Sequence, residues 1–296
     1  MLTGIDLFVC VKPALVIEGT ARFGRNGTSL DSSCGRYSVD PGNACALESA
    51  LRMRERGEVD HVVCLTAGPE GYDSILCWCM AAGADRVLRV DVPEEVELDT
   101  RATGALLAKV IRWSNGKLVL TSQRSSDEGN GLIAAALASD LGAVYLSNSV
   151  HVQLQAEEVR IERKVERGHR QLWAAKLPVV VAVEPDANRP RYVSIAMLAL
   201  ARQGAVEVLA AGDIQVELIG LPRLTEQVHL APGRVRVRRH GVGNIRGTAV
   251  ERLQAIMGSG TAMVSGKKVL TGSANELADR MIAMMEDHGL LRHRRD

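Results

Sequence analysis

Short apolar runs recur along the first two hundred residues at intervals that leave room for one helix between each pair. Residues 5–11, 61–66, 86–90, 117–120 and 177–183 are rich in Val, Leu and Ala and read as buried strands. Between them, apolar residues at helical spacing predict helices over 44–56, 72–82, 100–113 and 132–141. The first is preceded by a turn at Pro41 and Gly42, and the second stops at Gly83, which suits a left-handed cap. Residues 150–154, 159–165 and 171–175 alternate apolar and charged positions, the pattern of a short antiparallel meander with one wet face. Strand and helix in alternation predict an α/β fold, a doubly wound, mostly parallel sheet of Rossmann-like form, with that meander appended.

One junction stands out. Residues 118–121 lead from a strand into 122–131, SQRSSDEGNG, a run with almost no bulk, and helical period returns at Leu132. Free amides at such a helix start, with the helix dipole, favour phosphate. A plain strand-to-helix connection has the same outline. In doubly wound sheets ligands bind beyond the carboxyl ends of the strands, which places Val11 and Lys12, residues 66–68 and residues 122–130 around one crevice. There Gly68, Gly129 and Gly131 permit close backbone approach. Asp40, Asn43 and Asp127 can accept from an adenine amine or ribose hydroxyl, and Asn130 can donate to phosphate. Asp127 and Asn130 also suit helix capping.

Composition narrows the field. Apolar residues make up 46% of the 296, ample for a core, but only 3% are aromatic, so base stacking on rows of rings is not a main binding mode. A formal charge of +1 argues against nucleic acid, and the basic run at 234–239 reads as a strand edge or partner contact. No apolar run is long enough to span a membrane, and the first twelve residues read as a strand rather than a signal peptide. The six cysteines, at 10, 34, 45, 64, 77 and 79, fit no zinc spacing and read as free thiols of a reducing cytoplasm. No metal site, no Ser- or Cys-based nucleophile motif and no catalytic residue is predicted.

The order of several stretches carries more. VCVK at 9–12, SVDPGNACALESALRM at 38–53, TAGPEGYDSILCWCMAAGADRVLRV at 66–90, the 117–142 stretch and NRPRY at 188–192 together resemble the β-subunit family of electron-transfer flavoproteins over roughly residues 5–205. The runs MAAGADR at 80–86 and NRPRY are the most specific elements. The resemblance implies a β-type subunit of a heterodimer with an α-type chain. It would shuttle electrons from a dehydrogenase or reductase partner to an acceptor, with FAD shared with the α subunit. It also implies AMP, or in bifurcating members a second FAD, held by Cys10, Asp40, Pro41, Gly42, Asn43, Ala67, Ser122, Gln123, Arg124, Ser125, Ser126, Asp127, Glu128, Gly129, Asn130 and Gly131. Ile195, Ala196, Met197 and Leu198 fall in the family's partner-recognition loop. A stand-alone nucleotide-binding module remains the competing reading.

Two departures affect the site. Leu132 stands where the family usually has glutamine, and the loop after the first strand, Ala14, Leu15 and Val16, has no side-chain oxygen, so backbone groups and Arg124 take more of the binding. Residues 206–296 are expected as a C-terminal arm on the partner subunit, separate from a nucleotide-binding core at 1–205. Its stripe is Leu277, Met281, Met284 and Met285, residues that also suit core packing. A segment near 233–262 has no counterpart in the usual family member. GVGNIRG at 241–247 misses the dinucleotide fingerprint spacing by one residue and reads as a turn.

Overall fold

The computed structural model describes residues 4–22, 31–94, 96, 98–213, 218, 221 and 272–287. The basic run at 234–239, the glycine-rich run at 241–247 and the extra segment at 233–262 lie outside the described residues. Two units divide the chain, Met1–Gly233 and Arg234–Asp296. In the first, the elements run β1 (Asp6–Cys10), β2 (Pro13–Ile17), β3 (Gly35–Val39), α1 (Pro41–Glu55), β4 (His61–Gly68), α2 (Asp73–Ala82), β5 (Arg86–Asp91) and α3 (Thr100–Trp113). They continue with β6 (Leu118–Ser122), α4 (Ile133–Leu141), β7 (Val144–Gln155), β8 (Glu158–Lys164), β9 (Arg170–Lys176), β10 (Val179–Val183), α5 (Ile195–Ala201) and β11 (Glu207–Leu209). In the second unit the described helix is α6 (Ala274–Asp287).

Nine strands form one sheet in the order β11-β5-β4-β1-β6-β10-β7-β8-β9, parallel from β11 through β7 and antiparallel from β7 to β9. The period of two sorts its side chains. Leu7, Val9, Leu118, Leu120, Val179 and Val181 face α1 and α2, whereas Phe8, Cys10, Val119, Val180 and Ala182 face α3 and α4. Every residue of β10 is buried, as expected of a strand covered on both faces. After β1 the chain winds through β4 and β5 to one side, then crosses by α3 to β6 on the other. The direction therefore reverses between β1 and β6, and the crevice at that point opens beyond their carboxyl ends.

Four local expectations are corrected. Pro41 and Gly42 are not a turn but the first residues of α1, because Pro suits the first helical position and Asp40 caps it. Residues 13–17 are not a loop: they pair with 35–39 in an antiparallel hairpin, which Pro13 tolerates as a strand's first residue. The meander's first strand starts at Val144, runs parallel to β10, then irregularly changes register near Ser149 and turns antiparallel to β8. Residues 195–201, placed by resemblance in a loop, are the helix α5, capped by Ser194, whose hydroxyl accepts from Met197 N at 3.2 Å.

Candidate functional site

The end of β1 and the opening of α1 meet the loop after β6 at the crevice, and buried hydrogen bonds fix that meeting. Asp40 is 1% exposed. One carboxylate oxygen accepts from Gly42 N at 3.0 Å and Asn43 N at 3.4 Å, capping α1, and the other accepts from Ser126 N at 2.6 Å. The same residue thus starts a helix and ties down the 122–131 loop. Asn43, also buried, donates through Nδ2 to the Lys12 carbonyl at 3.3 Å. Gly42 allows the approach: a Cβ there would lie 2.0 Å from Ser122 Oγ.

Within the loop, Ser122 Oγ donates to the Arg124 carbonyl at 2.6 Å, and Gln123 N donates to Val183 O at 2.7 Å. The Gln123 side-chain oxygen accepts from Asn148 N at 2.7 Å, so this side chain serves the sheet, not the crevice. Gly129 N donates to Ser125 Oγ at 3.4 Å. Gly129 and Gly131 both have φ +65°, the left-handed region that favours glycine, and a Cβ on Gly131 would press to 3.1 Å on Gln123 O and Arg124 Cγ. Asn130 donates to Thr100 Oγ1 at 2.8 Å and Glu128 Oε2 at 3.0 Å, and accepts from Leu132 N at 3.1 Å. Leu132 itself offers α4 no side-chain cap, and the amides of Ile133, Ala134 and Ala135 make no hydrogen bond to described residues. The crevice therefore opens on free amide donors at a helix start.

The charged residues here are distributed unevenly. Lys12 Nζ donates to Asp127 Oδ1 at 2.9 Å and lies 3.1 Å from Glu128 Oε1, spanning from the β1 end to the β6 loop. Burial raises the Asp127 pKa, but hydrogen bonds from Ser125, Lys12 and the Glu128 amide outweigh it and hold the carboxyl below its ordinary range. Arg124 is exposed, and its guanidinium makes no hydrogen bond or ion pair with a described residue. On the crevice floor, burial pushes the Cys10 thiol up to about 12, so it stays protonated and inert. Ala67 lies half-buried at the end of β4, next to Gly68, where a Cβ would meet the Tyr72 ring at 2.2 Å.

Two features escaped the sequence reading as site residues, and a third was placed at the crevice without a role. Tyr72 packs edge-on against Tyr37 of the hairpin, centroids 4.9 Å apart. Its phenol is pushed up to about 12, by burial first and then by Tyr37, Asp127 and Glu128. Buried Arg89 donates to Asp73 Oδ1 at 2.7 Å and Gly68 O at 3.1 Å and also pairs with Asp91, holding the β4 end; an arginine inside an apolar strand pointed to it. Lys12 was visible in the VCVK run but was assigned no role.

Residues 195–198 are not at the crevice. They lie on α5, which packs on α2 and leaves Ile195 83%, Met197 47% and Leu200 70% exposed. The NRPRY run holds the chain leading to α5 against α1. Arg191 pairs with Glu48 and Glu55, each at 2.8 Å, and Asn188 Nδ2 donates to Cys45 O and Ser49 Oγ, each at 2.9 Å. A shallow cavity of about 530 Å³ lies at the opposite, amino-terminal rim of the sheet, lined by Asp6, Lys117 and Pro178 among others, and shares no residue with the crevice. Among the described residues no group of three or more His, Cys, Asp or Glu could hold a metal, and no helix is long and apolar enough to cross a membrane.

Known proteins are similar to this chain in sequence. The family model for the electron transfer flavoprotein domain matches residues 32–214. The electron transfer flavoprotein subunit beta of Sus scrofa is 29% identical over 196 residues, 66% of this chain and 76% of that protein. The subunit beta of Mycobacterium leprae is 30% identical over 207 residues, covering 68% and 77%, and that of Methylophilus methylotrophus 26% over 213 residues, covering 71% and 81%. With its doubly wound sheet, its crevice between β1 and β6 and more than half its length matched, this chain belongs to the electron transfer flavoprotein family, as a protein of the β-subunit type.

Proposed function

We propose that this chain holds one AMP in the crevice between β1 and β6 and, with an α-type partner, completes the site of a single FAD that carries electrons from a dehydrogenase to an acceptor. The observation that carries the reading is the donor set at the crevice: two glycines at φ +65° beside the open amides of α4, with Lys12 held nearby by Asp127 and Glu128. Such a site holds an anion and transforms nothing. Residues 122–131 with the start of α4 would hold the phosphate, and residues 40–43, 10–12 and 67 would wall the adenosine. The flavin, when bound, supplies the redox chemistry. This chain's residues orient it and exclude water. The six free cysteines suit a reducing cytoplasm. The core is assigned to 1–205 together with the edge strand β11, and the arm to the residues that follow, where the half-exposed Met281 and Met284 on α6 provide an apolar stripe for the α-type partner.

A second FAD in place of AMP is the other reading, and the exposed Arg124, whose guanidinium pairs with no described residue, favours it. One experiment tests both. The chain is co-purified with its α-type partner, extracted with acid, and its adenine nucleotides and flavins are counted against protein. One AMP and one FAD per heterodimer are expected. Two FAD with no AMP would establish the bifurcating reading, and a nucleotide-free, colourless complex would defeat the family-based function altogether.

A further inference from the structure

Lys12 is the cation that reaches across the crevice, from the loop after β1 to the loop after β6. Its ammonium is held by Asp127 and Glu128, and Glu128 is bonded through Asn130 Nδ2 to the residue whose side-chain oxygen accepts from Leu132 N. A continuous chain of contacts therefore runs from Lys12 to Leu132 N, the residue just before the helix start whose open amides suit an anion. Two carboxylates face one ammonium there, so the bridge carries excess negative charge at the place where a phosphate would approach. The side chains are 40%, 31% and 58% exposed, so water screens the bridge and little stability depends on it. A phosphate, carrying more charge than either carboxylate, competes for the ammonium on favourable terms.

Resting on the nucleotide reading above, we propose that the Lys12 bridge to Asp127 and Glu128 is an exchangeable latch. Lys12 leaves the two carboxylates for the phosphate of an adenine mononucleotide and is the residue that makes the crevice select phosphorylated over unphosphorylated adenosine. The ordering is physical: the carboxylates hold the long side chain in the crevice in advance, and their charge is what the phosphate must outcompete for the ammonium.

The test is calorimetric titration of AMP and of adenosine into the full chain, co-purified with its α-type partner and freed of nucleotide. Lys12→Met should weaken AMP about 10- to 100-fold, the loss of one charge-assisted contact, and leave adenosine unchanged. Lys12→Arg should restore AMP binding, which separates the charge from any packing role. Asp127→Asn with Glu128→Gln should strengthen AMP, because the competing carboxylates are gone while Lys12 stays. The latch is overturned if Lys12→Met binds AMP like the wild type, if it loses AMP and adenosine alike, or if the double amide variant binds AMP more weakly. Wild-type protein that binds neither compound defeats the nucleotide reading, and the latch with it.

Discussion

Asp40 is expected to be the most sensitive single residue at the crevice, because one buried carboxylate serves two segments far apart in sequence. Replacing it with alanine removes the cap of α1, a loss of about 1 kcal/mol. It also leaves the Ser126 amide without its 2.6 Å charged acceptor, a further loss of about 1.5–3 kcal/mol for a hydrogen bond to a charged group. The sum, about 2.5–4 kcal/mol, corresponds to a fall in Tm of roughly 5–15 °C for a unit of this size. Asp40→Ser separates the two contributions. A serine caps the helix well but is one bond too short to keep the Ser126 contact, so it should recover only the capping share. Thermal unfolding followed by circular dichroism measures the totals, and amide hydrogen exchange at Ser126 reads the tether directly. Protection at Ser126 should be lost in both variants. If Asp40→Ala unfolds within about 1 °C of the wild type, or Ser126 stays protected, the double role assigned to this carboxylate is wrong.

Further outcomes are expected elsewhere. Gly131→Val forces a β-branched residue to φ +65° with its Cβ against Gln123 O, so nucleotide content of the purified complex should drop sharply; full content would place the ligand away from this loop. Gly42→Ala should cost about 1–3 kcal/mol through its clash with Ser122, and Ser122→Gly in the same chain should recover most of it, as urea unfolding would show. Burial raises the Glu48 pKa, but Arg191 and Arg52 outweigh it and hold the pKa below 4.5. The stability it contributes is therefore complete above that value and drains away as pH falls through the lower folded value. The stability gap between wild type and Glu48→Gln should be full near pH ~7 and narrow near pH ~3, and a gap that stays constant would contradict the ion-pair account. Ile195→Glu with Leu200→Glu, on the exposed face of α5, should shift stability by no more than ~0.5 kcal/mol per site yet slow reduction by a dehydrogenase partner. Unchanged kinetics would remove α5 from partner docking.

The sequence by itself determined the alternation of buried strands and helices, and with it the doubly wound sheet, because apolar period is a local property that each segment carries wherever it packs. Helix α3 was legible to the residue, at 100–113, from its regular apolar stripe. The helix stops at Gly83 and Gly142, φ +117° and +65°, follow from the same local logic. The loop at 122–131 was legible too, as a bulk-free run between a strand and a helix.

What joins that loop to anything else was decided only by the tertiary structure. Asp40 and Ser126 are 86 residues apart, Lys12 and Asp127 are 115 apart, and Asn188 and Cys45 are 143 apart; no local pattern encodes which acceptor a buried donor will find. The hairpin of β2 and β3 escaped for the same reason, its strands being separated by a long connection rather than a tight turn. Asp127, read as an acceptor for a ribose or an adenine, proved to be the partner of Lys12. Local periodicity fixes which faces are buried, whereas long-range pairing of polar groups fixes the shape and charge of the crevice, and that pairing exists only once the sheet has brought the carboxyl ends of β1 and β6 side by side.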